Sequence, residues 1–227
     1  MIAARCFALV PCAGVGQRAG AAGPKQYAAL AGRAVVAHTL AALAQVPRIT
    51  NTLVVLAAGD MQFSAAVPAF GGWVAEVGGA TRAASVSNGL AELRRRGVQG
   101  HDWVLVHDAA RCLLQPTWVE RLIDACLADD VGGLLALPLA DTLKLAHAGR
   151  VAGTLPREGK WVAQTPQMFR LGLLQRALAQ AGPGVTDESS AVEALGLAPL
   201  LVPGEMENLK LTWPADFALA TRLLETR

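Results

Sequence analysis

Apolar positions along the chain fall into two alternating rhythms. Short β-type runs at residues 7–11, 52–57, 73–77 and 103–106 are separated by longer stretches with helical spacing. Residues 34–45 place Val35, Leu40 and Leu43 on one helical face. Residues 82–96 do the same with Val86, Leu90 and Leu93, and residues 117–127 form a further helix. Continuous apolar strands alternating with amphipathic helices predict an α/β protein whose mainly parallel sheet is covered on both faces.

The rhythm breaks after an apolar run at 134–139. Residues 141–157 alternate in character, carry turn residues from His147 to Arg150 and lack a helical stripe, which predicts a β-hairpin arm. Such an arm is expected to pack on something else, a second subunit included. The rhythm resumes with helices at 171–180 and 187–195 and a strand at 208–212. A last helix is predicted to open near Thr212–Pro214 on a capping hydroxyl and an early proline. Without a repeat or a low-complexity linker, residues 1–227 read as one domain, with 141–157 as its arm.

Composition narrows the function classes. The 227 residues are 53% hydrophobic, much of it alanine, and 17% charged, so a sizeable core is expected and disorder is not. A formal net charge of +2 is too small for a nucleic-acid footprint, and an aromatic fraction of 5% argues against base-stacking platforms. Apolar runs such as 132–140 fall far short of the roughly 20 residues that cross a bilayer. The N-terminal stretch resembles a first strand rather than a signal peptide. Cys6, Cys12, Cys112 and Cys126 lack zinc-ligand spacing, so reduced thiols in a cytoplasmic protein are expected.

The first candidate chemistry is the glycine-rich loop from Pro11 to Lys25, at the carboxyl end of the first strand, where open α/β sheets bind ligands. Its small residues let backbone N–H groups approach phosphate oxygens, while Arg18 and Lys25 add positive charge. Gly14, Gly16 and Ala19 satisfy a dinucleotide-binding spacing, but Gly20, Gly23 and Pro24 interrupt the helix that should follow. The acidic residue expected at the end of the second strand is missing at the usual distance, and a Walker loop fails because no Gly-Lys-Ser/Thr occurs. A flexible connector is the plain alternative.

The run Pro-Cys-Ala-Gly-Val-Gly-Gln-Arg followed by Pro-Lys-Gln-Tyr resembles the signature loop of the 2-C-methyl-D-erythritol 4-phosphate cytidylyltransferases. In order along the chain, the similarity continues through Gly78 to Val86, Val104 to Arg111, Asp141 to Lys144, Gln164 to Gln167, Thr186 to Glu188 and Asn208 to Thr212. It implies a three-layer Rossmann-like nucleotidyltransferase fold with an inserted hairpin arm. The implied reaction transfers CMP from CTP to 2-C-methyl-D-erythritol 4-phosphate and releases pyrophosphate, for non-mevalonate isoprenoid synthesis. Cytidylyl transfer to ribitol 5-phosphate shares most of these motifs. A non-catalytic nucleotide-binding regulator is the reading from a different class, and a dinucleotide oxidoreductase a distant third.

The resemblance also implies roles. Lys25, Lys210 and Arg18 would stabilise charge on the triphosphate. Ala13, Gly14, Gly16, Gly79, Ala80, Ser85 and Asp108 would bind CTP, although the family often carries an acidic residue where Ala80 stands. Asp108, Arg111, Thr142, Arg157, Thr165 and Thr186 would bind the acceptor. Asp108 is also the one candidate Mg²⁺ ligand, the ion being held mainly by the CTP phosphates. Arg82 reads either as a phosphate neutraliser or as a surface arginine at a helix start, and His107 as a structural hydrogen-bonding residue. Gln17 stands where an arginine is common, and Cys12 where an alanine is. A homodimer through residues 141–157 is expected, the arm reaching across to the other subunit. A native fusion to a further protein is left open.

Overall fold

The computed structural model describes residues 4–14, 23–182 and 184–226. In chain order the elements are β1 (Cys6–Pro11), β2 (Ala29–Leu30), β3 (Arg33–Ala34), α1 (Val35–Ala44), β4 (Ile49–Val55), α2 (Phe63–Ala66), β5 (Trp73–Ala75), α3 (Arg82–Arg95) and β6 (Trp103–Val106). They continue with α4 (Pro116–Leu127), β7 (Gly132–Pro138), β8 (Leu143–His147), β9 (Arg150–Leu155), β10 (Trp161–Arg170), α5 (Leu171–Gln180), α6 (Glu188–Glu193), β11 (Leu200–Pro203) and α7 (Pro214–Glu225).

Seven strands form one sheet in the order β11-β7-β10-β6-β1-β4-β5. All run parallel except β10, which is antiparallel to both β6 and β7. Because side chains alternate across a strand, β1 feeds two cores. Ala8 and Val10 pack with Leu40 and Leu43 of α1 and Leu122 and Ile123 of α4. Phe7 and Leu9 pack on the other face with Val86 and Leu90 of α3, Leu174 of α5 and Val192 of α6. The result is the expected three-layer arrangement, and β8 and β9 pair as the expected antiparallel hairpin outside the main sheet.

Three expectations are corrected. Residues 208–212 are not a strand: Leu211 N–H donates to the Ala110 carbonyl at 2.9 Å, and the segment joins no ladder. The alternation survives without it, for Leu211 is fully buried while the Lys210 side chain is 39% exposed. Helix α7 is not capped by the Thr212 hydroxyl, which instead donates to the Lys210 carbonyl. The Asp216 carboxylate accepts from the N–H groups of Thr212 and Trp213, both at 2.7 Å, at the dipole end where a negative charge is favourable. The third concerns strands absent from the reading, the central β10 and the edge strand β11. Strand β10 loses its register with β7 between Ala163 and Gln167, and there the Thr165–Pro166 peptide is cis.

Candidate active site

The carboxyl ends of β1 and β6 and the first turn of α3 enclose a cavity of about 480 Å³. Lys25, Lys210 and Asp108 line it, together with Ala13, Gly14, Gly79, Ala80, Thr81, Arg82 and Ser85. Seven of the sequence's CTP and catalytic candidates therefore share one space with Asp108. Gly16 and Arg18 lie outside the described residues.

Each wall has a local cause. Gln26, almost fully buried, donates from Nε2 to the carbonyls of Cys12 and Gly14, both at 2.9 Å, and so ties together the two sides of the glycine-rich segment. The Ser85 hydroxyl donates to the Thr81 carbonyl at 3.0 Å and accepts from the Gly79 N–H at the same distance, holding the loop ahead of α3. Glycine is required there by close approach: a Cβ on Gly79 would meet the Ala84 Cβ at 2.5 Å, and one on Gly78 the Ala13 Cβ at 2.4 Å. Thr81 caps α3 by accepting from the Ala84 N–H at 3.1 Å.

Asp108 is the electrostatic centre. Its Oδ1 accepts from Arg82 Nε and its Oδ2 from Lys210 Nζ, both at 2.7 Å, with Arg111 Nε 4.0 Å away. Burial alone would raise this carboxyl, but Arg82 and then Lys210 outweigh it and hold it well below the usual carboxylate range. Lys25 Nζ donates to the carbonyl of Leu211, next to Lys210 in the chain, at 2.7 Å, and both lysines line the same cavity. Arg82 turns its two remaining nitrogens to Glu188, at 2.7 and 3.0 Å. Burial pushes the Glu188 carboxyl up, against the pull of Arg82. Arg82 is thus no surface arginine: it bridges two buried carboxylates.

The acceptor candidates are less gathered. The Arg111 guanidinium donates to the carbonyls of Asn208 at 2.6 Å and Ala163 at 3.3 Å. Thr165 is buried, its hydroxyl accepting from the Asp108 N–H and meeting His107 Nδ1, both at 3.1 Å. Thr142, Arg157 and Thr186 are exposed and stand apart from the cavity wall, with Arg157 donating to the Ala140 carbonyl at the base of the arm.

His107 is fully buried and its Nε2 meets the Arg111 carbonyl at 3.1 Å, the structural position read from sequence. Burial lowers its pKa from 6.5 to about 4. The unfolded chain then binds this proton more tightly than the folded one, so the histidine's contribution is intact above pH 6.5 and is lost as the pH falls towards 4. Urea unfolding between pH 7 and 4.5 should reveal a loss on the order of 1–3 kcal/mol from this group. A His107→Asn variant should flatten the slope, and an unchanged slope would remove the assignment.

Known proteins match this arrangement. The family profile described as "IspD: 2-C-methyl-D-erythritol 4-phosphate cytidylyltransferase" matches residues 6–226. The chain belongs to this family. A 2-C-methyl-D-erythritol 4-phosphate cytidylyltransferase of Laribacter hongkongensis is 54% identical over 229 residues, covering 97% of this chain and 96% of that protein. The "Bifunctional enzyme IspD/IspF" of Albidiferax ferrireducens is 62% identical over 224 residues, covering 98% of this chain but only 54% of its own length. The chain thus spans about half of that bifunctional relative. The crystal structure of a 4-diphosphocytidyl-2C-methyl-D-erythritol synthase superposes with a TM-score of 0.89 at 42% identity, covering 99% of this chain and 100% of that one.

Family membership makes the protein a cytidylyltransferase, and the donor set of the cavity then bears on magnesium. Both Asp108 oxygens already hold cations, and no group of three or more His, Cys, Asp or Glu side chains gathers among the described residues. Asp108, so arranged, does not fit the expected Mg²⁺ ligand. Sequence reasoning also left Glu188 and Gln26 without roles. Their signal was present in the family motifs, but their partners are distant in sequence or are backbone carbonyls.

Proposed function

We propose that the cavity transfers the cytidylyl group of CTP to 2-C-methyl-D-erythritol 4-phosphate with release of pyrophosphate. The observation that supports this is that Lys25 and Lys210 line one cavity together with Asp108. Cations outnumber carboxylates there, which suits a triphosphate.

In this reading a phosphate oxygen of the acceptor attacks the α-phosphorus of CTP in line. The new P–O bond forms as the bond to the β-phosphate oxygen breaks, and pyrophosphate leaves with the electron pair. The nucleophile is already ionised near neutral pH, since its second pKa is about 6, so no general base is needed. Catalysis then rests on positioning and on charge stabilisation by the two ammonium groups. The Asp108 carboxylate holds Lys210 in place. Gly79, Ala80 and Ser85 form the slot for the base, with backbone groups replacing the acidic side chain that Ala80 lacks. Any magnesium would arrive on the triphosphate. Pyrophosphate release with CTP, Mg²⁺ and each polyol phosphate in turn tests the reading. Methylerythritol phosphate should support turnover, and turnover with ribitol 5-phosphate alone would overturn the acceptor assignment.

The chain is read as one nucleotidyltransferase domain whose arm completes a homodimer. Leu145, Val151 and Val162 leave 53%, 67% and 51% of their surface exposed on and beside the hairpin, an apolar face suited to burial against a second copy. Thr142 and Arg157 flank the arm, so each acceptor site would be built from two chains. Val151→Asp should shift the protein from dimer to monomer in sedimentation velocity and lower its activity. Full activity in a strictly monomeric species would defeat the shared site. No helix among the described residues is long and apolar enough to cross a membrane. Four buried free cysteines support a cytoplasmic setting.

A further inference from the structure

We propose that Glu188 is a positioning residue for the transfer reaction, acting through Arg82 and Asp108 to aim Lys210. This rests on the reading of Lys210 as a charge-stabilising group. The argument begins with the fork of Arg82. A guanidinium prefers to grip one carboxylate with two parallel N–H bonds. Glu188 receives that grip, from Nη1 and Nη2, and the rotation this fixes leaves only Nε facing Asp108 Oδ1. Asp108 Oδ2 therefore stays available to Lys210 Nζ. Without the Glu188 carboxylate, Arg82 would be free to turn its fork onto Asp108, occupy both oxygens and displace the ammonium.

Glu188 is itself held firmly. It is 1% exposed and opens α6, where Asp187 caps the helix by accepting from the Ser190 N–H at 2.9 Å. Gln167 of β10, also 1% exposed, accepts from the Ser189 N–H at 2.7 Å and donates to Asp187 Oδ2 at 2.8 Å. The bulged strand thereby fixes the helix start that presents Glu188. A buried carboxylate is costly to keep unless it is paired, and this one is paired to a group whose other end reaches Asp108, the partner of Lys210.

A double-mutant cycle tests the role. Glu188→Gln keeps the shape but offers one acceptor in place of two, so it should fold and still lower kcat about tenfold while KM for CTP stays within about twofold. In a Lys210→Ala background the same substitution should have no further effect on kcat. An equal loss in both backgrounds, or no loss in the parent chain, would make Glu188 a structural residue only and overturn the proposal. If Lys210→Ala alone left kcat intact, the site reading would fail first, and the two failures are told apart by that single variant. Arg82→Lys, which cannot straddle both Asp108 oxygens, should blunt the effect of Glu188→Gln; an undiminished effect counts against the fork argument.

Discussion

Alanine at Lys25 or at Lys210 should lower kcat by about 10²–10³, equivalent to about 2.7–4 kcal/mol, while KM for CTP changes only a few-fold. The split between the two constants follows from when the charge appears. On the proposed function, the ground state binds the triphosphate in this cavity. In the transition state additional charge sits on the α-phosphoryl oxygens, and only groups aimed there gain strength. Lys210 is held by Asp108 at 2.7 Å and Lys25 by the Leu211 carbonyl at 2.7 Å, so each ammonium group starts from a fixed position on the cavity wall. Lys210→Arg should not restore the rate, since a guanidinium beside Asp108 would take both carboxylate oxygens in a fork. Steady-state kinetics on CTP at saturating acceptor make the measurement, and near-parental kcat in either alanine variant would contradict the role.

The pattern of apolar residues was enough to read most of the sheet, because buried parallel strands and amphipathic helices are local signals. The strand Trp103–Val106 and the helix Leu171–Gln180 fall at the expected residues. Strand β10 was hidden by Pro166 in its middle: a proline argues against a central strand, and only the bulge between Ala163 and Gln167 makes room for it. Residues 208–212 misled in the opposite way. Their alternation reflects one buried leucine and one outward lysine beside a side-chain network, with Asn208 Nδ2 donating to the Thr165 carbonyl at 2.8 Å rather than a ladder. At the site, the cavity-lining residues were legible from their motifs. The charge path was not. Arg82 and Glu188 are 106 positions apart, and nothing in either segment alone says that one guanidinium closes both.

Removing that guanidinium is expected to give the largest loss of stability. Arg82→Met should cost about 3–5 kcal/mol at neutral pH, because it leaves Glu188 and Asp108 buried with one shared cation gone. Asp108 keeps Lys210 and the more distant Arg111, whereas Glu188 loses both of its bonds from Arg82. The unpaired Glu188 should then take up a proton more readily in the folded state than in the unfolded chain. Its carboxyl is already pushed up by burial, and without Arg82 the opposing pull disappears. Folding of the variant is therefore helped by acid, and its deficit relative to the parent chain should shrink between pH 7.5 and 5.5. Urea unfolding at both values measures this, and a deficit that does not change with pH would contradict the burial of an unpaired carboxylate. Replacing both partners, Arg82→Met with Glu188→Leu, removes the two charges together and should recover much of the stability. That double variant should still turn over slowly, since nothing then holds Asp108 Oδ1. A stable protein with an impaired rate separates what the pair does for folding from what it does for Lys210 through Asp108.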